Sequence, residues 1–213
     1  MGNIVAVNAS PRKGWNTDIL VTEAAEAAAA QGYEIQKYDL FDLERFTGCI
    51  SCFGCKRQDN LGRCIYKDGL ASVLEAIRNA DGLIIGTPNY LGEPTSSFRA
   101  LYERLLFQYI TYKEEVPSYN TRKIPVLLIM TSNCPVESYE ANGYNAMLEK
   151  YSAWFGRQIG PCTVFTCGDT LQVNDYSPFG WTYFDPAAKQ QRRDEIFPQE
   201  RAKLRGIAEE IFK

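Results

Sequence analysis

Four cysteines in one short segment are the first residues whose types and spacing indicate chemistry. Cys49, Cys52, Cys55 and Cys64 are separated by gaps of two, two and eight residues. Three thiols at such spacing can converge on one soft metal centre, and a fourth from a flexible loop can complete the ligand set. Zinc is a minority alternative, because zinc ribbons usually combine two separated cysteine pairs. Disulfides are less favoured in a reducing compartment, and a segment that binds no metal is the remaining alternative.

The chain contains no histidine. This excludes Ser-His-Asp catalysis, Cys-His catalysis and every histidine-ligated metal site. Either the chemistry needs no imidazole, or a bound cofactor performs it. The remaining cysteines, Cys134, Cys162 and Cys167, are predicted to be small buried packing residues, although Cys134 follows a polar loop and could approach a cofactor.

A polar loop at residues 10–17 separates a short β-branched run from an alanine-rich segment. A helix that begins there offers free N–H groups and the positive end of its dipole. Ser10, Asn16 and Thr17 add side-chain donors, and Arg12 adds a guanidinium. A terminal phosphate fits this loop, and an ordinary turn capped by Thr17 is the alternative. The glycine patterns of P-loops and Rossmann dinucleotide sites are missing.

A second loop, at residues 86–92, follows another apolar run. Gly86, Pro88 and Gly92 favour an exposed turn whose backbone faces a planar heterocycle, and Tyr90 could shield an aromatic ring system. A plain turn before the next helix is the alternative. Taken together, a loop suited to phosphate and a loop suited to a flat polar ring predict a mononucleotide site.

Apolar runs and helical periodicity alternate five times along the chain. Strands are predicted near residues 4–7, 33–39, 83–85, 126–130 and 162–165. Helices are predicted near residues 17–31, 68–77, 98–105, 147–155 and 204–211. Repeated strand–helix units form a parallel sheet covered by helices on both faces, with ligands at the carboxyl ends of the strands. The aromatic-rich stretch at residues 174–184 is predicted to be a surface wrap.

Length and composition indicate one domain. A chain of 213 residues with 45% apolar and 23% charged residues can bury one substantial core. We therefore predict a single domain over residues 1–213, with a cysteine-rich insertion at about 46–66 and a C-terminal arm and helix at about 168–213. The net charge of −3 and the lack of a long apolar stretch predict a cytoplasmic protein that binds neither nucleic acid nor membrane.

These motifs resemble those of the NADPH-dependent FMN reductase and iron-sulfur flavoprotein family, which has a flavodoxin-like fold. The resemblance is carried by the Ser10-Pro11-Arg12 turn with Asn16 and Thr17, by the cysteine segment, and by Ala80 and Asp81 before the run at 87–92. It covers most of the chain up to about the fifth strand. It implies an α/β three-layer sandwich whose five-stranded parallel sheet has the order 2-1-3-4-5, with helices on both faces.

The resemblance also implies FMN as cofactor. Its phosphate would contact Ser10, Arg12, Asn16 and Thr17. Its isoalloxazine would contact Thr87, Pro88, Asn89, Tyr90, Leu91 and Gly92, with Ser132 and Asn133 beside Thr131 on the far side. The glycines that the family often has in this third loop are missing. In iron-sulfur flavoproteins a compact cysteine motif holds a 4Fe-4S cluster, and the last gap of the cysteine segment here is longer.

The resemblance implies an FMN-dependent oxidoreductase. Reducing equivalents would pass from NAD(P)H or an electron carrier to a flavin, quinone or other small acceptor, through a cluster if one is present. The chemistry would take place at flavin N5, with no catalytic side chain, in agreement with a chain that lacks histidine. The alternative is a non-enzymatic electron carrier or redox sensor. A small-molecule or protein redox partner and a homodimer or homotetramer are expected.

Overall fold

The computed structural model describes residues 2–213, in which a twisted parallel sheet lies between two layers of helices. The strands are β1 (Asn3–Asn8), β2 (Glu34–Asp39), β3 (Gly82–Tyr90), β4 (Glu93–Pro94), β5 (Val126–Thr131) and β6 (Cys162–Cys167). The helices are α1 (Asn16–Ala30), α2 (Leu70–Asn79), α3 (Ser96–Phe107), α4 (Tyr144–Gln158), α5 (Pro186–Glu195) and α6 (Phe197–Ile211). Within residues 2–213, no helix is both long and apolar enough to cross a bilayer.

The sheet has the order β2-β1-β3-β5-β6, and all neighbours along this path are parallel. The two-residue strand β4 pairs antiparallel with the end of β3 and lies off the path. The five parallel strands therefore follow the predicted order 2-1-3-4-5, and the predicted three-layer α/β fold is confirmed. The chain order reverses at β1 and β3, and ligands of such sheets bind in the crevice at that point.

Two apolar layers explain why the central strands are uninterrupted hydrophobic runs. Val5 and Ile85 face the layer of α2, α3 and α4, whereas Ile4 and Ile84 face α1 and α6. All four side chains are fully buried. A strand covered on both faces needs no polar alternation, so this pattern predicts a parallel sheet. The edge strand β2 is only partly buried, as its alternating sequence predicts.

The prediction of an exposed turn beginning at residue 86 was wrong. Strand β3 continues to Tyr90, and a tight hairpin turn leads directly into β4. Leu91 and Gly92 have φ angles of 57° and 87°, which is the backbone of a two-residue hairpin turn. The side-chain oxygen of Asn89 accepts the Gly92 N–H at 2.9 Å and fixes the turn. Glycine and proline in the sequence marked the turn but not the strand before it.

Gly86 is needed for close packing rather than for a turn. It lies buried inside β3 against the first two turns of α1. A Cβ atom at this position would lie 2.3 Å from Val21 Cγ2 and 3.0 Å from Thr17 Cγ2. The missing side chain therefore lets the N-terminus of α1 approach the sheet.

The C-terminal region contains one helix more than predicted. Helix α5 precedes α6, and Asp185 caps it by accepting the N–H groups of Ala187 and Ala188 at 2.9 and 3.3 Å. Pro186 occupies the first turn, where its missing N–H has no cost. Apart from Ala187 and Ala188, the other residues of α5 are polar, so the apolar periodicity that predicts a helix is missing.

A buried carboxylate joins α1 to α6. Glu23 accepts N–H groups of Arg201 at 2.5 and 2.9 Å and of Arg205 at 2.6 Å. Burial alone would raise the pKa of Glu23, but the two arginines outweigh burial and hold the pKa below its ordinary value. Because the folded pKa is lowered, this stabilisation is present above about pH 4.5 and is lost as the pH falls through the folded pKa.

We expect Glu23→Gln to lower the free energy of unfolding by about 1–3 kcal/mol at neutral pH. The reason is that the hydrogen bonds from Arg201 and Arg205 would then end on a neutral amide instead of a charged carboxylate. Urea denaturation at neutral and acidic pH measures this, and the variant should lose less stability than the wild type on acidification. Glu26→Gln is the matched control, because Glu26 is exposed and lies 3.4 Å from Arg205. An equal loss of stability on acidification for Glu23→Gln and wild type would contradict the assignment.

Candidate functional site

The loops after β1 and β5 and the last residues of β3 meet at the carboxyl edge of the sheet and line one cavity of about 250 Å³. Nine of the twelve predicted cofactor residues line it: Ser10, Arg12, Asn16, Thr17, Pro88, Asn89, Tyr90, Ser132 and Asn133. Leu91 lines an adjacent cavity, whereas Thr87 and Gly92 line neither of the two. The structure thus brings most of the predicted set together, and their contacts with FMN stay a prediction.

The first loop is shaped by its own side chains. The Ser10 N–H donates to Asn8 Oδ1 at 3.0 Å, and the Arg12 N–H donates to Ser10 Oγ at 3.1 Å. Helix α1 then begins at Asn16 without a side-chain cap. The first N–H groups of a helix have no partner within the helix. An uncapped start beside Ser10 and Arg12 is therefore suited to an anion.

The C-terminal arm forms one wall of the cavity, a role the sequence did not predict. Asn16 Nδ2 and Trp15 Nε1 donate to the Leu171 carbonyl at 2.7 and 3.1 Å. Arg12 donates one N–H to the Gln172 carbonyl at 2.5 Å. A guanidinium has five N–H donors, so this contact leaves Arg12 with donors for a phosphate. Residues 170–172, which precede the stretch predicted to be a surface wrap, therefore form part of the cavity wall.

Arg193 on α5 was also missed. Its guanidinium donates to Asn16 Oδ1 at 2.7 Å and stacks 4.2 Å from the Phe197 ring. Because Oδ1 accepts from Arg193, the amide nitrogen of Asn16 must face the cavity wall at Leu171. Burial lowers the pKa of Arg193 from its ordinary value. No sequence pattern connects Arg193 to Asn16, since they are 177 residues apart and α5 lacks apolar periodicity.

Thr87 lines neither cavity and instead stabilises the strand ends next to the site. Its side chain is fully buried, and its Oγ1 accepts the Thr95 N–H at 3.2 Å. Thr95 Oγ1 in turn donates to the Ala9 carbonyl at 2.8 Å. These bonds hold the end of β3 against the end of β1. The expectation of a direct role for Thr87 arose because the sequence could not show which face of the strand it occupies.

The third loop is held by a chain of hydroxyl groups. Ser132 Oγ donates to the Cys134 carbonyl at 2.5 Å, so the Tyr139 hydroxyl must donate to Ser132 Oγ, 2.8 Å away. Burial raises the pKa of Tyr139 to about 12, which keeps this hydroxyl protonated. Thr17 Oγ1 and Thr131 Oγ1 lie 2.7 Å apart and join the first loop to the third. The side chain of Ser132 therefore shapes the loop.

A second cavity, of about 580 Å³, continues from the first and shares Asn89, Ser132 and Asn133 with it. Its wall includes the Cys134 thiol and the nearly buried Lys189. The Lys189 ammonium donates to Asn133 Oδ1 at 2.7 Å and pairs with Asp169. Its aromatic wall consists of Tyr144, Tyr183 and Phe184. Ligand sites usually measure about 300–1,000 Å³, so the two cavities together have room for a mononucleotide.

The four clustered cysteines line one small cavity beside α3. Cys49 and Cys52 are exposed, Cys55 is buried and Cys64 is partly buried. Burial raises the pKa of the Cys55 thiol, and Lys56 opposes this. No carboxylate lines this cavity, whose free volume is about 20 Å³. Across residues 2–213, no three histidine, cysteine or acidic side chains are close enough to hold a metal ion. The thiols thus share a cavity without forming a ready ligand set.

Residues 3–141 match the family model described as NADPH-dependent FMN reductase. This segment includes all three strand-end loops that line the first cavity and the whole cysteine segment. The chain belongs to the NADPH-dependent FMN reductase family. The resemblance predicted from the motifs is thereby confirmed, and the arm at residues 170–172 lies beyond the matched segment.

Relatives of this family member include iron-sulfur flavoproteins. One from Methanocaldococcus jannaschii is 35% identical over 101 residues, which is 47% of this chain and 50% of the relative. One from Methanosarcina thermophila is 32% identical over 101 residues, which is 47% of this chain and 51% of the relative. The matches thus span about half the length of these relatives.

Solved structures with the same fold cover nearly the whole chain. An NAD(P)H:quinone oxidoreductase from Methanothermobacter marburgensis has a TM-score of 0.70 at 12% identity and covers 98% of both chains. An FMN-dependent NADH-azoreductase from Bacillus anthracis, solved in complex with FMN, has a TM-score of 0.61 at 13% identity and covers 100% of both chains. At such low identity the likeness shows that this family member shares their fold.

Proposed function

We propose that the chain is an FMN-dependent oxidoreductase that passes reducing equivalents from NAD(P)H or an electron carrier to a flavin, quinone or other small acceptor. The observation that carries this proposal is the groove at the carboxyl edge of the sheet. There the uncapped start of α1, the end of β3 and the polar loop after β5 line one continuous space. The family match supports the proposal, as do neighbours named quinone oxidoreductase and azoreductase.

The residues present fit FMN. Ser10, Arg12, Asn16 and Thr17 surround the start of α1 and would bind the phosphate through hydroxyl, amide, guanidinium and main-chain N–H donors. Bound FMN would supply hydride and single-electron transfer, chemistry for which the chain has no side chain of its own. The protein contributes binding, orientation and exclusion of water.

The ring end of the groove is bounded by the last residues of β3 and by the residues that follow β5. Pro88, Asn89 and Tyr90 line the first cavity, and Asn133 lies between the two cavities. Lys189 and Asp169 form an ion pair at this end, and the Asp185 carboxylate, which caps α5, also lines the second cavity. The remaining room of the second cavity would admit an electron donor or acceptor.

The cysteine cavity is proposed as the site of a thiolate-bound metal centre, and the 4Fe-4S cluster implied by the relatives' names is its leading form. Four thiols and no carboxylate are the donor set of a soft metal. The free volume of about 20 Å³ leaves room for no more than a single ion, and the thiols would have to draw together to bind it. A cubane requires the exposed segment that carries Cys49 and Cys52 to move away from α3.

A non-enzymatic electron carrier or redox sensor is the second candidate, and the exposure of Cys49 and Cys52 favours it. Steady-state oxidation of NADH and NADPH by FMN-loaded protein separates the two. The enzyme oxidises at least one nucleotide with a quinone, ferricyanide or free flavin as acceptor. Failure with both nucleotides and all three acceptors, with FMN bound, would eliminate the reductase and leave the carrier.

The remaining expectations from the resemblance are proposals of the same kind. They are a homodimer or homotetramer, a small-molecule or protein redox partner, and a cytoplasmic location. Trp181, which is 44% exposed, stacks on Phe179 at 4.3 Å and presents an aromatic surface on the arm that could contact a second subunit. Light scattering of the FMN-loaded protein measures the assembly directly.

A further inference from the structure

Two buried N–H donors without partners lie at the cysteine cavity. Among residues 2–213, the buried side-chain nitrogen atoms that lack a hydrogen-bond partner are Arg104 Nε and Gln108 Nε2. The two residues are 2% and 3% exposed, and both line the cavity formed by the four cysteines. An unsatisfied buried donor destabilises a protein by about 1–3 kcal/mol, so two at one place need an explanation.

The orientation of both side chains is fixed by their other contacts. Gln108 Oε1 accepts the Cys64 N–H at 3.0 Å, and a flipped amide would place two donors against each other. Arg104 Nη1 donates to both carboxylate oxygens of Asp68 at 2.6 Å, and Arg104 Nη2 donates to the Tyr66 carbonyl at 2.9 Å. The surrounding protein therefore fixes which nitrogen of each side chain has no partner, namely Nε of Arg104 and Nε2 of Gln108.

Sulfur is the acceptor that the cavity offers. Its lining contains four thiols, no carboxylate and mostly apolar side chains. A neutral thiol is a weak acceptor, whereas a metal-bound thiolate carries negative charge and accepts well. Two donors on one wall suit sulfur atoms that are charged and held in place.

We propose that Arg104 and Gln108 are hydrogen-bond donors to the sulfur atoms of the metal centre at Cys49, Cys52, Cys55 and Cys64. They position the thiolates and reduce the electron density on sulfur. Such donors to ligands raise metal affinity, and donors to the sulfurs of an iron-sulfur cluster raise its reduction potential. This inference rests on the proposed thiolate-bound centre and is independent of the flavin groove.

The test uses the full, FMN-loaded chain without metal, titrated anaerobically in two separate arms. One arm receives Fe²⁺ with sulfide, and the other receives Zn²⁺, so that the arms distinguish a cluster from a single ion. Gln108→Glu keeps the acceptor for the Cys64 N–H and removes the donor, and Arg104→Lys keeps a cation beside Asp68 and removes Nε. Gln31→Glu and Arg45→Lys repeat the same changes at exposed positions.

In the arm that loads the wild type, both variants should bind metal about 10–100-fold more weakly than wild type, and the controls should match wild type. If iron and sulfide load, the midpoint potential of both variants should be more negative. FMN affinity, measured on the same samples, should be unchanged, because the groove is formed by other elements. If Arg104→Lys does not fold, Gln108→Glu decides the outcome.

Metal affinity and potential equal to wild type in the folded variants would overturn the inference. Failure of the wild type to bind either metal would overturn it too, together with the proposed centre. Neither result affects the flavin proposal, which is tested by FMN binding and NAD(P)H oxidation on the same protein. Loss of FMN binding with metal binding intact would instead leave this inference standing.

Discussion

Replacement of Arg12 by alanine is expected to weaken FMN binding by about 1–3 kcal/mol, roughly 5–150-fold, and to leave riboflavin binding unchanged. Riboflavin lacks the phosphate, so the difference between the two ligands isolates the phosphate contact. The exposed Arg12 side chain contacts the Gln172 carbonyl and lies 4.2 Å from the Trp15 ring, and neither contact belongs to the core. The variant should therefore fold normally.

Quenching of flavin fluorescence during titration measures both affinities. Lys13→Ala is the matched control, because Lys13 is the next residue, pairs with Asp42 and does not line the groove. An equal loss of affinity for FMN and for riboflavin would show that Arg12 acts through its contact with the arm at Gln172 and not through the phosphate. Unchanged FMN affinity would place the phosphate elsewhere.

Asp68→Ala is expected to lower the free energy of unfolding by about 3–5 kcal/mol. Asp68 pairs with Arg104 at 2.6 Å, and the two side chains are 8% and 2% exposed. Removal of the carboxylate leaves the guanidinium buried without its partner. Arg104 also donates to the Thr47 and Tyr66 carbonyls, so the ion pair fastens the cysteine-rich segment to α3.

Urea denaturation of the variant measures this loss, with Asp59→Ala as control. Asp59 lies in the same segment and pairs with Arg57 at 3.6 Å, but both side chains are more than half exposed. Such a pair contributes about 0–1 kcal/mol. The double replacement Asp68→Leu with Arg104→Met should be milder than Asp68→Ala, since no unpaired charge remains buried. If Asp68→Ala lost as little unfolding free energy as Asp59→Ala, the stabilising role given to the buried ion pair of Asp68 and Arg104 would be contradicted.

The sheet could be predicted because its strands are short, apolar and separated by helical periods. Each of the five parallel strands appeared in the sequence as an apolar or alternating run, and the loop after β1 retained its predicted position. The tail of β3 could not be predicted, since Pro88 and Gly92 favour turns and pairing with β5 and β4 is a tertiary effect. Helix α5 was missed because a polar helix lacks apolar periodicity.

The site could be predicted where one loop contains several donors, and not where distant elements meet. Ser10, Arg12, Asn16 and Thr17 were found because they are adjacent in sequence. The wall at residues 170–172 and the contact from Arg193 to Asn16 depend on how the C-terminal arm folds back, which no local pattern encodes. The cysteine spacing predicted that the four thiols could converge, and they line one cavity, but no sequence pattern indicated the two unpartnered donors beside it.

A crystal structure of the chain with FMN tests the central claim most directly. We predict that the phosphate lies at the start of α1 among Ser10, Arg12 and Thr17, and that the ring lies along Pro88 to Tyr90. The main-chain carbonyls of residues 171–172 should border the ligand without taking its place. FMN bound outside this groove, with the main chain of the arm filling it, would contradict the account.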